Sequence, residues 1–250
     1  MIRKSIFSGL YQAHTPKFYL SALSVLVLVY LGSTEALLRA VQGRAFLPAG
    51  FHNIFLHQAL ASETVVSFLP ILAILPFSGT YVDDLKSKFA RFYLIRIDYS
   101  SYLWSRIAVC FLCGGGVIFA GCLLSWGLSA LLFLPVEQAA EGGAMAAASI
   151  WPTLALFFLT GGAWAVAGMA MSSLMESKYI AYASPFVIYY ILVILCERYF
   201  PDVFLLYPPN WTNPEVWPHG AWDAAISLIA LTLIFSILFV IRAGRRLREL

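Results

Sequence analysis

Asp83 and Asp84 are adjacent acids at the end of an apolar run, and Lys86, Lys88, Phe89, Arg91 and Phe92 follow them closely. Two carboxylates in that place suit a helix N-terminus, where free backbone N–H groups and the positive end of the helix dipole favour negative charge. Leu85, Phe89 and Phe92 recur at i, i+4 and i+7 and would share one helix face, with Lys86, Lys88 and Arg91 on the others. The chemistry this implies is noncovalent. Aromatic anchors inside a charged rim are the anatomy of a protein contact. The same pattern suits a helix lying on a membrane surface, and periodicity alone does not separate the two.

Other chemistry-bearing residues are sparse. Cys110 and Cys113 have C-x-x-C spacing but sit among Phe111, Leu112 and Gly114–Gly116, where a thiol behaves as a small apolar group. His52 and His57 are five apart with apolar neighbours, and no metal-ligand spacing occurs. The chain contains no G-x-x-x-x-G-K-[ST], H-E-x-x-H or G-x-S-x-G pattern. Glu35 and Arg39 are four apart and share a helix face near the end of an apolar run. That pair is a gate or pathway element, or an interface pair whose charges reach water. Asn210-Trp211-Thr212 matches the short glycosylation acceptor pattern.

The elements that must carry these residues follow from composition. Of 250 residues, 61% are hydrophobic, 16% aromatic and only 12% charged, and mean hydropathy is +0.81. Soluble domains carry about 25% charge, so a soluble enzyme is excluded; the aromatic content excludes a disordered chain, and four Cys in apolar settings are too few for a disulfide scaffold. A net charge of +3 is too small to point to nucleic acid. The expected class is an all-α polytopic membrane bundle. Six apolar segments have about the length needed to cross a bilayer: 18–38, 64–82, 107–134, 149–175, 179–196 and 224–241. Residues 1–17 read as an interfacial helix with a stripe of Ile2, Ile6 and Leu10, widened by Phe7 and Tyr11.

With an N-terminus in the cytoplasm, all of the 16 Lys and Arg except Arg39, Arg44 and Arg198 fall on the inner side. Both termini are then cytoplasmic, and 83–106 is a cytoplasmic loop. On the outer side, 39–63 is a candidate interfacial helix. Residues 197–223 form a Pro-rich cap, with Tyr207, Trp211, Trp217 and Trp222 suited to the headgroup layer. Small residues along 114–127 and 161–172 predict close helix packing, and Pro70, Pro76 and Pro185 mark kinks.

The loop with Asp83, Asp84, Lys86, Lys88, Phe89, Arg91, Arg96, Ser100, Ser101 and Arg106 resembles the segment between the second and third spans of ABC transporter type-2 permeases. The likeness extends over nearly the whole chain as one permease domain, 1–250. The family often carries Glu and a Pro-Ser-Arg-like turn where this chain has the Asp pair and Ile97-Asp98-Tyr99-Ser100. The resemblance implies a permease that dimerises with a second copy or paralogue, through spans one and five. It also implies that each copy docks a cytoplasmic ATP-binding-cassette ATPase through the loop helix. ATP and Mg would sit on that partner, with no cofactor and no catalytic residue in this chain. The implied activity is export of an amphipathic or hydrophobic cargo (peptide, lipid-linked molecule or drug) across a bacterial-type cell membrane. The alternatives are a secondary transporter, a membrane-embedded enzyme, or an immunity-type protein that binds a hydrophobic toxin. An ion-coupled carrier would need acids at mid-span, and none lies in the middle of the six segments.

Overall fold

The structure is a computed structural model that describes residues 2–34, 47–48, 50–87, 98–138 and 149–248. Apart from a two-residue parallel bridge of Leu47–Pro48 (β1) with Glu137–Gln138 (β2), its regular elements are helical. Helix α1 (Ile2–Ala13) is followed by α2 (Pro16–Gly32), whose axis turns by 64°. The turn is local chemistry: Thr15 is extended, as a residue before proline prefers, and Pro16 has the fixed φ that starts a helix. The α1 stripe divides on folding. Ile6 and Leu10 pack against the bundle beside Ala13, whereas Phe7 and Tyr11 stay 66% and 87% exposed.

Helix α3 (Phe51–Leu60) follows Gly50, whose φ of 79° is open to glycine. It then bends by 68° into α4 (Glu63–Ile74), with Ser62 accepting a hydrogen bond from the Val65 N–H. The expected continuous span over 64–82 is not formed. The helix stops at Ile74 and resumes only as α5 (Thr80–Lys86). Pro76 has no N–H to continue the ladder, and its ring crowds the carbonyl one turn back. Twelve helical residues rise about 18 Å, well short of the bilayer core of about 30 Å. The second crossing therefore exists only if α3 and α4 act together as a broken span.

The long helices match the apolar runs more closely. Helix α6 (Tyr99–Phe133) begins eight residues before the expected start at 107, α7 covers Trp151–Met175, α8 covers Lys178–Tyr199 and α9 covers Ala221–Arg248. Among the described residues, four helices are thus long and apolar enough to cross a membrane, or up to six crossings if each bent pair counts as one. Helix α7 is the axle of the bundle. In its most apolar stretch 78% of residues are buried, against 22% in α8 and α9, which line the periphery.

Close approach at the centre depends on missing side chains. A Cβ at Gly114 of α6 would lie 2.3 Å from the Ala165 Cβ and 2.8 Å from the Gly161 carbonyl oxygen of α7. Lipid supplies little hydrophobic drive between helices, so such backbone contact is a main source of their attraction. The buried side chains form two clusters. One centres on Phe55, Leu69, Trp164 and Trp211, and the other on Tyr81, Tyr102, Cys110 and Phe239.

Candidate functional site

The second cluster closes over a group of charged residues at one end of the bundle. Helix α5 carries them there. Its Tyr81 and Val82 are buried, and the Tyr81 ring meets Phe239 of α9 edge-on at 4.9 Å. This orientation turns Asp84 toward α6, where the Tyr102 hydroxyl donates to Asp84 Oδ2 at 3.0 Å and the Arg106 guanidinium pairs with the same oxygen. The two charged side chains are only 8% and 15% exposed. Arg106 also lies 5.5 Å from the Phe77 ring centre and 5.4 Å from that of Tyr102, within cation–π range. Burial pushes the Asp84 carboxyl above the usual carboxylate range, and Arg106 and Tyr102 pull it only part of the way back.

Further ion pairs complete this end. Asp83 pairs with Lys178 at the start of α8, and Glu176, just past α7 at φ 53°, pairs with Arg246 of α9. Both pairs are partly exposed, and exposed pairs of this kind contribute little to stability. Helix α5 is therefore tied to α6 by a buried pair, to α8 by a surface pair and to α9 by a ring contact. A displacement of α5 must move these helices or break those contacts.

The expected N-terminal cap at the Asp pair is not formed. The helix starts at Thr80, three residues earlier, and ends at Lys86, where the Ser87 N–H bonds back to Asp83 and Leu85 carbonyls. Asp84 is turned to the bundle, whereas Asp83, paired with Lys178 at the surface, and Lys86 are exposed. Lys88, Phe89, Arg91 and Phe92 lie outside the described residues, as do Glu35 and Arg39. Arg106, Tyr102, Phe77 and Lys178 are the members that sequence spacing did not assemble. Arg106 and Lys178 were visible as inner-side charges, but their partners are fixed only by tertiary contact.

The opposite end is acidic and aromatic. Glu137 accepts hydrogen bonds from the Gly50 N–H at 3.0 Å and the His52 N–H at 2.8 Å, and its Oε1 lies 2.8 Å from His52 Nδ1. Burial pushes this carboxyl up, but the two backbone donors and the His52 ring outweigh it and hold it below the usual range. His57 lies 3.1 Å from the Thr153 hydroxyl, so the two histidines serve separate contacts. Residues 204–216 fold into three short 3-10 turns. Trp211 departs from the headgroup expectation: it is 2% exposed, stacks on Trp164 at 5.3 Å and donates its indole N–H to the Leu205 carbonyl. Tyr207 and Trp217 are half-buried, and only Trp222 is fully outward. Hydropathy does not encode this placement, because it depends on the Pro-started turns folding the segment back onto α7.

All four cysteines are buried free thiols, and Cys110 donates to the Ala165 carbonyl of α7 at 3.3 Å. Among the described residues, no three His, Cys, Asp or Glu side chains group to hold a metal ion. The helices define a multi-pass membrane protein. No protein-family model, curated protein or solved structure matches the chain.

Proposed function

We propose that this chain is the transmembrane permease subunit of an ATP-driven exporter, resembling the ABC transporter type-2 permeases. The observation that carries this reading is the clamp on α5. A short helix at the basic end is joined through Asp84 to Arg106 and Tyr102 on α6, and through Asp83 to Lys178 on α8. The basic and aromatic residues Lys86, Lys88, Phe89, Arg91 and Phe92 follow directly. A partner that grips those residues would pull on the bundle through the acidic pair. The partner is a cytoplasmic ATPase that holds ATP and Mg, and a second permease copy or paralogue completes the path.

The finer topology belongs to the same proposal: six crossings, counting each bent pair once, with both termini cytoplasmic in a bacterial-type cell membrane. The contacts of Asp84, Asp83 and Glu176 gather Arg106, Lys178 and Arg246 at one end of the bundle, which supports a single basic face on the inner side. The cargo is amphipathic or apolar, because a strongly ionic one would need matching charge inside the membrane. Affinity purification from native membranes tests the proposal. Co-purification of a soluble ATPase, with ATP-dependent cargo movement in liposomes, is the expected result. Isolation of the chain alone, with full transport in liposomes lacking ATP, contradicts it.

A further inference from the structure

At the acidic end, α3, the start of α7 and the 3-10 turns enclose a cavity of about 290 Å³. This is near the lower limit for a small-molecule site, which sets a compact ligand. Its polar walls are His57 and Gln58 of α3, Thr153 of α7, and Asn210, Asn213 and Glu215 of the turns, over an apolar floor of Phe157 and Pro209. Several of these groups are already held in place. His57 is set by Thr153, the Asn213 side chain accepts from the Glu215 N–H at 3.0 Å, and the Asn210 carbonyl accepts from the Trp217 indole at 2.8 Å. The Glu215 carboxylate at the mouth has no cation partner among the described residues, and neither Lys nor Arg lines the cavity.

We propose that this cavity binds a primary ammonium group borne on a small hydrogen-bonding body. The ammonium pairs with Glu215, and the amide and hydroxyl walls take up its remaining N–H donors and the polar groups attached to it. Charge selects the ligand here: among the described residues the lining offers one carboxylate and no Lys or Arg, so a cation finds a counter-charge. The apolar floor accommodates one or two carbons next to the nitrogen. The same chemistry is presented by a free amino alcohol and by an ethanolamine lipid headgroup. The site is independent of the ATPase proposal, since it lies at the end of the bundle opposite α5.

The test uses the full-length purified chain and ethanolamine, choline and ethylene glycol as probes, with binding read by calorimetry. A parallel arm compares thermal unfolding in nanodiscs of phosphatidylethanolamine and of phosphatidylcholine. Ethanolamine should bind more tightly than choline or ethylene glycol, and Glu215→Gln should weaken it by up to about fivefold, the upper scale of one exposed charge contact. Thr153→Val, on the opposite wall, should weaken it as well, and serves if Glu215→Gln does not fold. Ethanolamine binding in detergent supports a free amine as ligand. Stabilisation only by the ethanolamine lipid, lost in Glu215→Gln, supports the headgroup. Equal binding of choline or ethylene glycol, unchanged binding in both variants, or no response in either arm overturns the proposal.

Discussion

Arg106 of α6 closes on Asp84 of α5 across 22 positions of chain, and the Tyr102 hydroxyl donates to the same carboxylate. The pair is largely out of water, so its desolvation offsets much of its attraction. The upward displacement of the Asp84 carboxyl has this origin.

Removing one partner should therefore be far worse than removing both. Asp84→Ala leaves a buried guanidinium without its counter-charge and should cost about 3 kcal/mol. Asp84→Leu combined with Arg106→Met should recover most of that loss. Denaturant unfolding in detergent of the parent chain, the single variant and the double variant measures both.

Acid should act on the two ends of the bundle with opposite sign. Glu137 titrates lower in the folded chain than in the unfolded one, so its stabilisation is present above about pH 4.3 and is lost as pH falls through its folded value. Asp84 titrates higher when folded, so its contribution is greatest below about pH 3.9 and declines as pH rises through its folded value. Unfolding midpoints from pH 3 to 6 (about the carboxylate range) should show less loss on acidification for Glu137→Gln than for the parent chain. For Asp84→Asn the acid-side loss should be greater than in the parent.

The crossing of α6 and α7 should reject a single methyl group. Gly114→Ala places a Cβ against Ala165 and the Gly161 carbonyl, and overpacking of this kind costs about 1–3 kcal/mol. Gly127→Ala is the control. Nothing lies within 4 Å of its new Cβ, and the gain in helix propensity is up to about 1 kcal/mol. Thermal unfolding of the two variants should move in opposite directions.

Phe89→Ala together with Phe92→Ala should uncouple ATP hydrolysis from transport and leave the bundle folded. Loss of cargo flux with retained thermal stability is the expected readout in reconstituted vesicles. Normal coupling in that double variant counts against the docking role.

The apolar runs at 149–175 and 179–196 map closely onto α7 and α8 because no charge falls within them, and Pro185 is carried inside α8 without ending it. Hydropathy alone misplaced the second crossing, since Pro70 is carried within α4 whereas the helix ends before Pro76. The early start of α6 was hidden by Tyr99, Ser100, Ser101 and Arg106, which look polar until α5 covers Tyr102 and Arg106. Asp83 and Asp84 were legible as special, but the direction they face was not. It depends on Tyr81 and Val82 being drawn into the core and on Arg106 and Lys178 being within reach. The cavity at the acidic end joins residues as far apart as His57 and Glu215, and no local pattern announces such a site.

The central claim is that the segment beginning at Asp83 is a handle for an ATPase. Hydrogen exchange over residues 83–93, measured on the chain in nanodiscs with and without the co-purified ATPase, tests it most directly. Slower exchange across Lys88–Phe92 only when the ATPase is bound, with nucleotide-dependent changes reaching Tyr102 and Arg106, is the predicted result. Identical exchange in both samples, with protection that follows the lipid alone, contradicts it.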